Sequence, residues 1–517
     1  MPSSLPPQRP RLSVCMIVRD EAVNLPGALK SVRDVAHELI VVDTGSTDDS
    51  PAIAQHLGAQ VLHFAWCDDF ARARNVALEA ATGDWVLCLD ADQQLDPACV
   101  PALQRALQRQ DALAQRVTIQ LLTAADDDLA NPLRDGRALA VLQSFPQLRL
   151  FRRDPRIRFQ GRVHEDVADS LLAIGSSDWP ESGVRLCDHG YVQAAERERK
   201  RARNLALLQR VHDEAPDALY PAYKLAISLP AHQQAEQAAL LESTLGRVLQ
   251  MPASEQSTLP FLPTLLARTV DAWVQQGRLL KAAQVCRRLL ELHGPVFDFT
   301  AGCALARAGE WAPARHSLLR YLAAPAQAHH AAWQADPQAS PAQACWWLAW
   351  MARQQGELEQ AQVHVQEGLH SATPLQRAAL EAEGVEILLA RGEWVAAAQA
   401  IGAMQADSQA PALALSERLR VSARLAELTG DLPTALSLAQ SACLAGHDAP
   451  AALLAMLEIQ AGQVDEARLQ HHHQSLAGQF FDTLALKWLM ARELGLPWPL
   501  DLPPATQALI APPVSVD

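Results

Sequence analysis

Asp90 and Asp92 flank Ala91 at the end of an apolar run, Trp85-Val86-Leu87-Cys88-Leu89. A second acidic loop, Asp43-Thr44-Gly45-Ser46-Thr47-Asp48, lies 47 residues earlier. A run that stops at two carboxylates reads as a buried strand opening at the carboxyl edge of a sheet. Residues two apart on an extended chain point the same way, so both carboxylates can address one cation. Hard divalent cations use one or two carboxylates together with phosphate oxygens of a substrate. That chemistry calls for a nucleotide-diphosphate substrate.

The elements that would position these residues alternate between strand and helix from residue 12 to about 190. Leu12 to Val18 is an apolar strand, and Leu39 to Val42 is another that stops at Asp43. A helix is expected from Asp48 to Leu57 with Ser46 or Thr47 as its N-cap. Gln60 to Phe64 reads as a third strand, and Asp69 to Ala81 as a helix closed by Gly83. The alternation implies a mostly parallel sheet covered by helices on both faces, with ligands bound outside the carboxyl ends of its strands.

After about residue 195 the strand signals stop and helical periodicity takes over. Gly277, Gly309, Gly356, Gly392, Gly430 and Gly462 are each followed five residues later by alanine: Ala282, Ala314, Ala361, Ala397, Ala435 and Ala467. Most of the intervals are 32 to 38 residues. Glycine suits the turn between antiparallel helices, and alanine lets the second helix approach the first. The pattern resembles the tetratricopeptide repeat, with an insertion around Pro325 to Pro341. The expected domains are residues 11–195, a helical connector at 196–260, the repeats at 261–495, and a Pro-rich extended tail at 496–517.

Bulk composition narrows the function. A chain of 517 residues is too long for one core. No apolar run nears the roughly 20 residues that span a bilayer, and Met1 to Pro10 has no apolar core of the kind a secretory signal needs. Nine cysteines without close pairs suit reduced thiols, so a cytoplasmic protein is expected. A net charge of −14 argues against general nucleic-acid binding. Two basic stretches stand against that balance, Arg149 to Arg162 and Arg197 to Arg203.

The first half resembles family 2 glycosyltransferases of the GT-A fold, in the branch of sublancin-type peptide S-glycosyltransferases and lipopolysaccharide-core glucosyltransferases. Cys15-Met16-Ile17-Val18-Arg19-Asp20-Glu21 matches the opening strand and turn, and Val42 to Asp48 the nucleotide loop. Trp66, Asp69-Phe70 and Ala73-Arg74-Asn75 match the next helix, and Leu89-Asp90-Ala91-Asp92 the DxD element. Arg149 to Arg152, Gly161 to Glu165 and His189-Gly190-Tyr191 match three later motifs. Gln93 departs from the pattern, which usually carries an acidic residue there.

The resemblance implies a metal-dependent, inverting transfer of a hexose from a nucleotide sugar, a UDP-hexose first among candidates. Asp43 would recognise the nucleotide; its bland alternative is an aspartate capping a βα turn. Glu21 and Arg74 would be further nucleotide contacts, with an exposed surface arginine the alternative for Arg74. Asp92 would hold Mn²⁺ or Mg²⁺, with Asp90 beside it leaning toward the sugar or ribose. Glu165 would be the general base; otherwise it pairs structurally with a nearby arginine, and the adjacent Asp166 would face away. His164 and His189 are both candidates for a third metal ligand, of which His189 is preferred.

The Arg149 to Arg162 cluster could bind a diphosphate or form a solvated surface. The Arg197 to Arg203 run reads as the exposed face of a linker helix, and His471-His472-His473 as surface. Trp346, Trp347 and Trp350 read as core. The repeats would bind a peptide or protein acceptor, or pair two copies of the chain into a homodimer; a glycan acceptor also fits the site. Two rivals stand: a non-catalytic scaffold with a degenerate transferase domain, and a sugar-nucleotide nucleotidyltransferase. Against the latter, Val18-Arg19-Asp20-Glu21 stands where a Gly-rich phosphate loop would be.

Overall fold

The structure is a computed structural model that describes residues 10–124, 139–189, 194–324, 336, 338–404, 411–445, 449–462, 464–476, 479–498 and 501–510. Contacts divide the chain into two compact units at Ala231/His232.

The first unit runs β1 Leu12–Val18, α1 Leu25–Val32, β2 Glu38–Asp43, α2 Ser50–His56, β3 Gln60–His63, α3 Phe70–Ala80 and β4 Trp85–Cys88. It continues with β5 Gln93–Leu95, α4 Val100–Gln108, β6 Ala114–Ala124, β7 Leu139–Arg152, α5 Ala168–Ala173, β8 Glu181–Asp188, α6 Ala194–Glu214 and α7 Leu219–Ser228. The eight strands form one sheet in the order β3-β2-β1-β4-β7-β6-β8-β5. The first four are parallel. From β7 onward the sheet is mixed: β7 runs antiparallel to β4 and β6, β8 is parallel to β6, and β5 is antiparallel to β8. The parallel half is therefore narrower than a mostly parallel sheet.

Alternation along the strands divides the core. Leu12, Val14, Met16, Val18, Trp85 and Leu87 pack on one face, while Cys15, Ile40, Val42, Val86 and Cys88 pack on the other. A strand buried on both faces must be apolar at nearly every position, which is why these segments read as near-continuous hydrophobic runs; the exception, Ser13, donates to Glu38. Gly83 is needed for close approach rather than for a helix cap. Ala81 caps α3, and a Cβ on Gly83 would meet Arg11 O at 2.8 Å and Ser13 N at 2.9 Å.

The second unit is helical throughout its described residues, beginning with Gln234–Val248 and Leu262–Gln275. The six repeat glycines all have left-handed φ, between 64° and 84°. After five of them the next residue (Arg278, Glu310, Glu357, Glu393, Asp431) donates its backbone N–H to the carbonyl five residues back, at 2.8–2.9 Å. That is the Schellman closure, which requires a left-handed residue and so favours glycine. Ala282, Ala314, Ala361, Ala397 and Ala435 are fully buried, whereas Ala467 is exposed; the sixth repeat keeps the turn and loses the helix contact. Most of the Pro325–Pro341 insertion lies outside the described residues, but Pro341 opens a helix capped by Ser340. Pro504–Ile510 is helical rather than extended, with proline at its first position. His472 also departs from expectation. It is buried and bonds Glu458 at 2.6 Å, as a core partner rather than a surface residue. Trp347 and Trp350 are core.

Candidate active site

β2 and β4 both end at the carboxyl edge of the sheet, with β1 between them, which sets the two strand ends roughly 10 Å apart. Asp43 is the last residue of β2 and is buried. Its carboxylate accepts from the backbone N–H groups of Gly45 (3.3 Å) and Ser46 (3.1 Å), and His63 Nδ1 lies 3.4 Å away. The loop that follows is tied back to the turn after β1. Asp20 N donates to Ser46 Oγ, and Thr47 N to Asp20 Oδ1 at 2.7 Å. With Ser46 and Thr47 committed there, α2 starts later than expected, at Ser50 with Asp49 as its N-cap. Glu21 donates its N–H to Ser50 Oγ at 2.8 Å, and its carboxylate accepts from Asn24.

Asp90-Ala91-Asp92 is not an extended strand end. β4 stops at Cys88, and the chain turns so that Gln93 N donates to Asp90 O at 3.0 Å. The turn breaks the two-residue alternation and sends the two carboxylates to different partners. Asp90 Oδ1 accepts from Arg74 Nη2 at 2.6 Å, and Oδ2 from Arg149 Nη2 at 3.1 Å. Burial would raise the Asp90 pKa, but the guanidiniums of Arg149 and Arg74 overcome it and hold the carboxyl well below its usual range. Asp92 instead receives the ammonium of Lys200 from α6.

Arg74 is a buried hub, not a surface arginine. Its Nε donates to Glu165 Oε1 at 2.5 Å while Nη2 holds Asp90. Glu165 is thus paired with an arginine distant in sequence rather than with one of the Arg149 to Arg162 cluster. α3 also fixes the loop that carries Glu165: Asn75 exchanges two hydrogen bonds with the Phe159 backbone, and Phe70 N donates to Arg162 O. His164 adopts a left-handed conformation, φ 56°, which turns the chain just before Glu165; such conformations in non-glycine residues gather at functional sites. Although His164 as a whole is exposed, desolvation of its ring and the charge of Lys224 pull its pKa down to about 4. Asp166 faces elsewhere. Its backbone bridges to Gln160 and its carboxylate accepts from Ala168 N, while burial raises its pKa.

His189 follows β8 and donates its N–H to Asp92 O at 2.9 Å. Its ring Nδ1 is buried and has no hydrogen-bond partner among the described residues. Burial lowers the His189 pKa while Asp92 works to raise it, so the ring tends to neutrality, the form that binds metal. Gly190 and Tyr191 lie outside the described residues. Among the described residues no three His, Cys, Asp or Glu side chains form a metal cage. An open site suits Asp92 better, since it already holds a cation in Lys200 and a diphosphate would supply the remaining oxygens.

The departure at Gln93 has a local cause. Its Oε1 accepts from Asp90 N, and its Nε2 donates to Asp188 Oδ2, both at 3.2 Å. Only an amide can do both, and a carboxylate there would face Asp188. Of the arginine cluster, Arg149 alone reaches these carboxylates. Arg152 stacks on Trp85, Arg153 bonds Gly83 O, and Arg156, Arg158 and Arg162 pair with Asp154, Glu79 and Glu214. Sequence reasoning missed Lys200, which it placed on an exposed face. The available signal was the helical spacing of Lys200 with the buried Leu207 and Leu208.

Residues 13–146 match the profile of glycosyl transferase family 2. The first unit contains a glycosyltransferase family 2 domain. The chain is 43% identical over 187 residues to a TPR repeat-containing protein of Synechococcus elongatus, covering 35% of this chain and 43% of that one. It is 28% identical over 159 residues to the prophage-derived glycosyltransferase SunS of Bacillus subtilis, covering 30% and 35%. It therefore spans less than half the length of these curated relatives. The glucosyl-3-phosphoglycerate synthase of Mycobacterium tuberculosis, solved with Mn²⁺ and UDP, is 25% identical over 22% of this chain and 44% of its own, with a TM-score of 0.19. In this chain the family 2 domain is fused to tetratricopeptide-like helical repeats, and no helix among the described residues is long and apolar enough to cross a membrane.

Proposed function

We propose that the family 2 domain transfers a hexose from a UDP-sugar, with inversion, to a peptide or protein acceptor. The observation that carries this reading is the division of labour at the turn after β4. Two arginines hold both oxygens of Asp90, whereas Asp92 holds one ammonium, and the ring nitrogen of the adjoining His189 has no partner among the described residues. Asp92 and His189 are then the residues for Mn²⁺ or Mg²⁺, and Asp90 is a fixed anion facing the sugar or ribose. Asp43, at the end of β2, and Glu21, in the turn after β1, bind the nucleoside. A bound divalent cation would neutralise charge on the leaving diphosphate.

The acceptor's oxygen or sulfur attacks the anomeric carbon from the face opposite the diphosphate, and the bond to the diphosphate oxygen breaks. The acceptor's proton passes to Glu165, which Arg74 orients. Through Arg74, Glu165 is tied to Asp90 and so to the turn after β4. The repeats, with their regular array of helices, bind the acceptor polypeptide.

Calorimetric titration with UDP, GDP and dTDP, each with and without Mn²⁺, tests the donor half. Metal-dependent binding of UDP that Asp92→Ala abolishes is expected. No nucleotide binding under any condition would overturn the reading and leave a scaffold in its place. Loss of transfer in Asp166→Asn but not in Glu165→Gln would move the base by one residue.

A further inference from the structure

Lys200 stands apart from its basic neighbours. α6 carries a dense basic run, yet Arg203 lies over the ring of Phe70 and Arg201 reaches the backbone of Leu229. Lys200 alone among the described side chains of that run pairs with Asp92, and its side chain is only 18% exposed. It occupies the packing face of α6, one and two turns before Asn204 and the buried Leu207 and Leu208. A lysine tucked against a carboxylate must pay for desolvation. The carboxylates of Glu21 and Asp188 are also close enough to act on its charge. A compact, flexible ammonium suits a phosphate group as a point charge, without the fixed fork of arginine.

Resting on the donor site proposed above, we infer that Lys200 is a diphosphate-binding residue that occupies Asp92 until nucleotide and metal arrive. Asp92 and His189 would then hold a divalent cation, and the released Lys200 ammonium would reach the diphosphate oxygens. Metal alone must displace an ion pair and gains no phosphate in return, so it binds weakly. Metal with nucleotide regains the displaced charge, so the two bind cooperatively.

The test measures Mn²⁺ binding to the full chain by paramagnetic resonance of free Mn²⁺, and UDP binding in saturating Mn²⁺ by calorimetry. Lys200→Met is expected to bind Mn²⁺ alone at least 10-fold more tightly than wild type, and UDP with Mn²⁺ at least 10-fold more weakly. Lys200→Arg, which keeps the charge, is expected to restore most of the UDP affinity. Lys200→Gln serves if the methionine variant does not fold. Mn²⁺ affinity unchanged in the variants would overturn the occupancy of Asp92. UDP affinity unchanged would overturn the diphosphate role. If wild type binds UDP through Asp92 while the Lys200 variants match it, only the role of Lys200 fails. If wild type binds neither Mn²⁺ nor UDP, the donor site fails and this inference with it.

Discussion

Both units bury arginines against carboxylates, and the two networks differ in what they leave over. In the repeats, Arg353 forms a two-point pair with Glu383, and Arg420 holds Glu386 and Glu417 from its own and a neighbouring helix. Burial favours the neutral form of Glu386, yet Arg420, Arg353 and Arg424 keep its pKa low. Each acid there meets a guanidinium on a packed helix, and the network is closed. In the family 2 domain, Arg74 and Arg149 likewise hold Asp90 and Glu165. Beside them, however, Asp92 depends on a single lysine, and the buried Nδ1 of His189 has no partner among the described residues. Strongly perturbed buried charges therefore do not by themselves mark a site, since structural networks perturb them equally. The distinguishing feature is a carboxylate, Asp92, whose ion pair rests on a single lysine.

The sharpest way to break that comparison is to remove one arginine from each network. Arg74→Met and Arg353→Met should each destabilise the chain by about 3–5 kcal/mol, because each strands buried carboxylates. Denaturant unfolding measures this. Only Arg74→Met should also lower transfer, by about 100-fold, through misplacement of Glu165; Arg353→Met should leave UDP affinity unchanged. Equal loss of UDP affinity in both would erase the distinction. Gln93→Glu should cost about 1–3 kcal/mol by setting a carboxylate against Asp188. Repulsion would raise the folded-state pKa of that pair, so the loss should be greatest at neutral pH and shrink as the pH falls through the raised value.

Glycines sharpen the contrast further. Gly83→Ala forces a Cβ against backbone atoms and should cost about 1–3 kcal/mol through overpacking. Gly356→Ala meets nothing within 4 Å but sits at φ 78°. Its expected cost is about 1–2 kcal/mol, from the left-handed conformation alone. The smallest effect is on pH dependence. In the folded domain the His164 pKa is lowered to about 4 from the usual value of about 6.5. As the pH falls between those values the unfolded chain binds the proton first, so stability declines across that window. His164→Asn, which tolerates a left-handed backbone, should flatten the thermal-unfolding midpoint from pH 6.5 to 4. An unchanged slope would remove His164 as its source.

Much of this molecule could be read before folding, because some requirements are local. A strand buried on both faces is apolar at nearly every position, so β1, β2 and β4 announced themselves, with Asp43 ending β2 and Asp90 two residues past β4. A left-handed turn needs glycine and a close helix needs alanine, so the repeats were visible by spacing. The places where expectation failed depend on distant residues. Ser46 and Thr47 looked like helix caps, but Asp20 claims them. Arg74 looked like surface, but two acids 16 and 91 residues away bury it. Asp90 and Asp92 looked like a pair, but the turn at Gln93 sends one to arginines and the other to Lys200, 108 residues further on. Residue type and spacing determined which elements form and which carboxylates reach the sheet edge. Only the tertiary structure decided which cation each of them meets, because an ion pair is set by proximity in space, and nothing in local sequence encodes its partner.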